Sequence, residues 1–147
     1  MSLSQRIAED LKNALKSRDE FRLSCLRMLK TSLKHKQAEE GKELKDDEIQ
    51  SVISSMIRKN QEAASEFRKG NREDLAIKEE AEVKVLYGYM PEQMSSAEIE
   101  NALREIISEL SATNLKDLGK VMKVAMGRIA ERAQGKEVNQ IAKKLLS

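Results

Sequence analysis

The chain has 147 residues, of which 35% are charged and 3% aromatic, with no Trp, one Pro and six Gly, a balance that favours an all-α protein. Its formal net charge of +2 excludes nucleic-acid binding by bulk charge, so any electrostatic function must come from the distribution of charge. One Cys and one His exclude an internal disulfide, a Cys-based zinc cluster and a His-rich metal site, and neither a metal nor a cofactor is expected.

In chain order, the opening MSLSQRIAED lacks a basic-then-apolar leader and carries Glu9 and Asp10, a pattern that reads as a cytoplasmic protein. Leu3, Ile7, Leu11 and Leu15 recur every four residues and predict a first amphipathic helix. Ser17-Arg18-Asp19 interrupts it, and Asp19 is placed to cap a second helix over about 19–40. The apolar face of that helix is read as Phe21, Cys25, Leu26, Met28, Leu29 and Leu33, with Gly41 as its stop. A third helix starts at Asp46 or Asp47 and keeps 3–4 spacing through Ile49, Val52, Ile53, Met56, Ile57, Ala63, Ala64 and Phe67, up to Gly70-Asn71. A fourth, over about 72–88, has the least regular pattern. No segment approaches the roughly 20 apolar residues that span a bilayer, so no membrane partner is expected.

Both tyrosines (Tyr87, Tyr89) and the only proline (Pro91) fall within LYGYMPEQMSSAEIE. Gly88 weakens the fourth helix, and Pro91 drives Met90 out of the α region. Ser95 and Glu98 then have capping-box spacing, with Met94 and Ile99 placed as a hydrophobic staple. A stop, a short connector and a strongly specified restart mark a domain boundary. The expected organisation is an N-terminal four-helix domain over 1–92 and a small three-helix domain over 93–147. The tyrosine rings are read as packing at the junction.

In the second domain, Ile99, Leu103, Ile106, Ile107 and Leu110 predict a fifth helix. Asn114 with Asp117 opens a sixth, with Leu115, Leu118, Met122, Ala125, Met126 and Ile129 inward. Gln134-Gly135 breaks the chain before a last helix carrying Val138, Ile141, Ala142 and Leu145.

The residues supply little for catalysis. Cys25 shares a face with Phe21 and Leu29 and has no His in local reach, so it reads as a core cysteine. His35 lies between Lys34 and Lys36 and reads as solvated. There is no phosphate-cradling glycine loop and no carboxylate pair in contrasting environments, so no catalytic residue is assigned and the chain is not expected to be an enzyme on its own. Charge distribution says more. Residues 91–110 hold Glu92, Glu98, Glu100, Glu105 and Glu109 against Arg104 alone. Residues 111–147 reverse the sign, with Lys116, Lys120, Lys123, Arg128, Arg132, Lys136, Lys143 and Lys144 against Asp117, Glu131 and Glu137. Lys116, Lys120 and Lys123 follow at 3–4 spacing near Gly119 and Gly127 and read either as a solvated face or as a phosphate-contact surface. Arg132, Lys136 and the start of the last helix extend that candidate surface. A second basic stripe, Arg27, Lys30 and Lys34, runs along the second helix.

Several motifs together resemble the YqeY-like family, whose C-terminal module is shared with the B subunit of the glutamine-dependent aminoacyl-tRNA amidotransferase (the GatB/YqeY domain). Arg22-Leu23-Ser24 with Arg27-Met28-Leu29-Lys30 is similar to the family's RLS…RMLK helix. Tyr89-Met90-Pro91-Glu92-Gln93-Met94-Ser95 is similar to its YLPEQLS junction. Gly119-Lys120-Val121-Met122 and Gly135-Lys136-Glu137-Val138-Asn139 are similar to its GKVM and GKxVN signatures. Glu131 and Gln134 depart from the usual KGRADG loop, which has Gly and Asp at those places. The resemblance covers nearly the whole chain and implies an N-terminal helical domain followed by a three-helix one. It also implies an association with tRNA-dependent carbon–nitrogen ligation using glutamine as amide donor, in which the related module reaches the body of the tRNA. The resulting expectation is a non-catalytic adaptor whose partner is tRNA or a tRNA-handling complex, contacted through Lys116, Lys120, Lys123, Arg132, Lys136 and Asn139. A protein-interaction module without RNA is the alternative.

Overall fold

The computed structural model describes residues 1–147. It consists of α-helices, two short 3₁₀ turns and connectors, with no strand, so the chain is all-α as its composition predicts. It divides into two compact units, Met1–Met90 and Pro91–Ser147.

The first unit contains α1 (Leu3–Ser17), α2 (Glu20–Glu40), α3 (Asp46–Lys69) and α4 (Glu73–Tyr87). Local chemistry sets most of the ends. The Ser2 hydroxyl accepts from the Gln5 amide at 3.2 Å, while the Gln5 side chain accepts from the Ser2 amide at 3.0 Å. Asp19 accepts from the Arg22 amide at 3.1 Å and starts α2. Gly41 ends α2 in the left-handed region at φ 68°. After α3 that role passes to Asn71, at φ 59°, rather than to Gly70. The core joins Ile7 and Ala14 of α1, Leu26, Leu29 and Leu33 of α2, Ile49, Ile53 and Ile57 of α3, and Val83 and Leu86 of α4. Burying each such Leu or Ile contributes about 1.5–3 kcal/mol.

Three expected core positions face solvent. Leu15 is 58% exposed, and Ala14 takes its place at 2%. A strict four-residue step advances about 40° beyond a full turn each time, so a stripe begun at Leu3 has drifted off the core by Leu15, whereas Ala14 falls back under it. On α2, Phe21 is exposed and Met28 is 54% exposed. Both lie on the flank of the helix, about 95–115° around from the centre of the buried ridge of Cys25, Leu26, Leu29 and Leu33.

Tyr89 explains the clustering at the end of this unit. Its ring is 2% exposed and packs in the core. Its hydroxyl donates to Asp10 Oδ2 at 2.6 Å. The Arg6 guanidinium lies 4.8 Å from the ring centroid and donates to the Gly88 carbonyl at 2.7 Å. Asp10 also faces Arg22 at 3.7 Å. One aromatic residue therefore ties α1 and α2 to the turn that follows α4. Burial and the Asp10 hydrogen bond hold the Tyr89 phenol well above its ordinary range.

The second unit contains α5 (Ser96–Leu110), α6 (Leu118–Ile129) and α7 (Gly135–Leu146). Ser95 and Glu98 form the expected capping box, with hydrogen bonds of 3.2 and 3.1 Å. Met94 packs on the core built by Ile99, Leu103, Ile106, Val121, Ala125, Ile129, Val138, Ala142 and Leu146. Asn114 caps a 3₁₀ turn over Leu115–Asp117, and α6 follows it. Leu115, expected inward, is 51% exposed because it lies in that tighter turn, outside the α-helical register.

Candidate nucleic-acid interface

The inward side of α6 is fixed by Val121, Ala125 and Ile129, all fully or nearly fully buried. At 100° per residue, Lys120 and Lys123 then fall on the outward side, together with Gly119 and Gly127. Both lysines are exposed, as is Lys116 in the preceding 3₁₀ turn. A Cβ added at either glycine would meet no atom within 4 Å, so this face is open along the helix.

The arginines of this unit are engaged. Arg104 pairs with Glu100 at 2.9 Å, and Arg128 donates to Glu109 through both terminal nitrogens. The Arg128 contact holds the Glu109 carboxyl below its ordinary range. The ammonium groups of Lys116, Lys120, Lys123 and Lys136 enter no ion pair or hydrogen bond. The acidic α5 therefore neutralises arginines and leaves the α6 lysines unneutralised.

Arg132, Lys136 and Asn139 belong to a second group. Lys116 lies in the 3₁₀ turn before α6 and Lys120 and Lys123 in its first half, and Lys123 lies about 9 Å along the axis from the helix end at Ile129. Beyond that end, Arg132 sits in a 3₁₀ turn over Ala130–Arg132, and Lys136 in the first turn of α7. Arg132 is exposed, yet its Nε donates to the Glu92 carbonyl at 3.4 Å and its own carbonyl accepts from the Met94 amide at 2.8 Å. Its first role is to hold the loop. Asn139 is half-buried beside Val138. Glu137, in the first turn of α7, accepts from the Ser96 hydroxyl at 2.9 Å and adds a negative charge next to Lys136. The structure thus presents one open lysine face on α6 and a separate, partly self-neutralised corner.

Gln93 is the functional part of this corner that the sequence pattern did not single out. Its amide donates to the carbonyls of Pro91 and Glu131, each at 2.9 Å, and clamps the loop to the connector. Ala130, in the same loop, has φ 50° and ψ −128°, a conformation that favours glycine.

Cys25 is buried, and desolvation together with the nearby Glu82 carboxylate pushes its thiol up to about 11. It is an apolar wall of the first unit's core rather than a thiolate.

The profile of the Yqey-like protein family matches residues 4–146. Among curated proteins, the chain is 31% identical over 111 residues to a protein of Lachancea thermotolerans named altered inheritance of mitochondria protein 41, mitochondrial, covering 74% of this chain and 59% of that one. It is 30% identical over 145 residues to the protein of the same name in Pyrenophora tritici-repentis, covering 95% of this chain and 77% of that one. The Vanderwaltozyma polyspora protein of that name is 30% identical over 108 residues, covering 71% and 58%. The chain thus spans about three fifths of the length of two of these three relatives. Their names correct the expectation of a cytoplasmic protein, because the curated relatives are mitochondrial. The physical reason is that a compartment is addressed by a leader, and the composition of a folded domain's first helix carries no such address.

Proposed function

The chain belongs to the YqeY-like family, and from that premise we propose that it is a non-catalytic helical adaptor that meets tRNA, or a complex handling tRNA, through the outward face of α6. The observation that carries this reading is the set of exposed, unpaired lysines at 116, 120 and 123, on an open face, in a unit whose arginines are consumed by its own acids. A phosphate backbone needs ammonium groups that are free to displace counterions, at a spacing that follows a polymer rather than a point ligand. Gly119 and Gly127 let the backbone of such a polymer approach the helix closely. Arg132, Lys136 and Asn139 form the outer part of the interface, and the link to amidotransferase complexes rests on the shared module.

The experiment is tRNA binding by the full chain and by K116Q/K120Q/K123Q at low salt. The triple variant should bind at least tenfold more weakly and unfold at the same denaturant concentration as the parent. Equal affinity would move the site elsewhere. A protein-interaction module is the second reading, favoured by the exposed Leu110 and Leu115 between α5 and α6. Replacing both leucines with Ser would weaken a protein partner's binding and leave tRNA binding unchanged.

A further inference from the structure

Within the N-terminal unit, a polar groove runs between α2 and α3 beside the apolar core that the two helices share. The short connector 41–45 makes the two helices an antiparallel hairpin. The groove between them is lined by Ser32, His35 and Lys36 from α2 and by Ser51, Ser55 and Lys59 from α3. Ser51, Ser55 and Lys59 follow at four-residue steps and form one ridge of α3.

The hydroxyls of this groove are not used by the helices that carry them. Thr31 turns its hydroxyl onto the Arg27 carbonyl at 3.0 Å, and Ser17 turns its own onto Ala14 at 3.4 Å, as helical Ser and Thr commonly do. Ser32, Ser51 and Ser55 make no such bond and have no other partner in the chain. Nor do His35 and Lys59. The one carboxylate in the groove, Glu39, lies 3.9 Å from Lys36, which also meets Glu40 at 3.4 Å. Val52 and Met56 add an apolar stretch of lining.

Three hydroxyls, an ammonium and an imidazole line the groove as donors, with one acid already engaged. That set matches a compact group with three acceptor oxygens and a charge near −2. No three His, Cys, Asp or Glu side chains gather there as ligands for a cation. The donors come from two helices across one groove rather than from one helix face, which fits a compact anionic group better than a polymer. We infer that the α2–α3 groove binds a phosphoryl group, as free phosphate or as a small phosphate monoester.

His35 is the only histidine, so its imidazole gives one unambiguous NMR signal. The test is a titration of the full isotope-labelled chain with inorganic phosphate at constant ionic strength, following that signal and the amides of Ser51 and Ser55. The expected result is saturable binding with Kd around 1 mM, the affinity of a few charge-assisted hydrogen bonds. S51A/S55A should weaken it at least fivefold; Ser to Ala on a helix surface raises helix propensity, so this variant keeps its fold. K116Q/K120Q/K123Q should leave it unchanged, which separates this site from the α6 face. A parallel titration with adenosine 5′-monophosphate distinguishes the sources: tighter binding than phosphate assigns a monoester whose body lies on Val52 and Met56, and equal or weaker binding assigns free phosphate. Shifts that stay linear with phosphate, or a double alanine variant that binds like the parent, would overturn the inference.

Discussion

The two units use their charged side chains to different degrees in closing their folds. In Met1–Met90, charge closes the structure: Arg6, Asp10 and Arg22 gather around the buried Tyr89, and Arg68 of α3 reaches Glu73 and Glu80 of α4. In Pro91–Ser147, Arg128 ties α6 to Glu109 of α5, Gln93 and the Met94 amide bond backbone carbonyls of the loop at 131–132, and Lys116, Lys120 and Lys123 are left over. The difference teaches where to look for function. A cation spent on its own fold is poorly placed to recruit a partner, whereas an exposed cation without a partner keeps its full charge for one.

The largest expected effect is on the Tyr89 cluster. Tyr89→Ala removes a fully buried ring and should cost the first unit about 3–5 kcal/mol in denaturant unfolding. Tyr89→Phe keeps the ring and leaves Asp10 without its donor, for about 1 kcal/mol. If the two variants were equally destabilised, the polar contact rather than the packing would be the closure, and the contrast between the units would need redrawing. Gln93→Ala should cost the second unit about 1–2 kcal/mol through two lost hydrogen bonds, seen as faster amide exchange at 131–134. Ala130→Gly relieves the backbone at φ 50°, ψ −128° and should stabilise the same unit by about 1 kcal/mol. No change would mean that the loop adopts this turn without strain.

The smallest effect is a pH dependence in the first unit. Burial and the neighbouring Glu82 hold the Glu79 carboxyl above its ordinary 4.5. The folded state therefore binds this proton more tightly than the unfolded state does. The resulting stability is fully present below the ordinary value and is lost as pH rises through the raised one. Glu79→Gln should stabilise the unit by about 0.5 kcal/mol at neutral pH, solvent screening included, and the gain should vanish in acid. A gain that persisted in acid would assign it to packing.

Much of this fold is legible in the sequence because its signals are local. The Ser95–Glu98 box, the Asp19 cap and the Gly41 stop each depend on a few consecutive residues, and each appears in the structure. The all-α class follows from composition together with periodicity. What failed was phase and tertiary contact. Leu15 leaves the core because a four-residue step drifts in helical phase, and Leu115 because Asn114 caps a 3₁₀ turn rather than an α-helix. Phe21 and Met28 were assigned to the core because they are apolar, although the ridge of Cys25, Leu26, Leu29 and Leu33 already fixed the buried side. At the candidate site, the exposure of Lys120 and Lys123 follows from helical phase, but the freedom of the three lysines from ion pairs does not. That depends on Glu100 and Glu109 of α5 being occupied by Arg104 and Arg128, the second of these across 19 residues of sequence. The Gln93 clamp spans 38 residues and has no local signature.

The central claim is that Lys116, Lys120 and Lys123, beside the open face at Gly119 and Gly127, meet a nucleic-acid backbone, rather than the equally exposed and likewise unpaired basic stripe Arg27, Lys30 and Lys34 of α2. The most direct measurement is the dependence of tRNA affinity on salt for the full chain, for K116Q/K120Q/K123Q and for R27Q/K30Q/K34Q. Three phosphate contacts predict a slope of log K against log salt of about −2 to −3 for the parent. The α6 variant should flatten that slope nearly to zero, and the α2 variant should keep it. A slope that survives the α6 substitutions and collapses with the α2 substitutions would contradict the account and transfer the interface to the other unit.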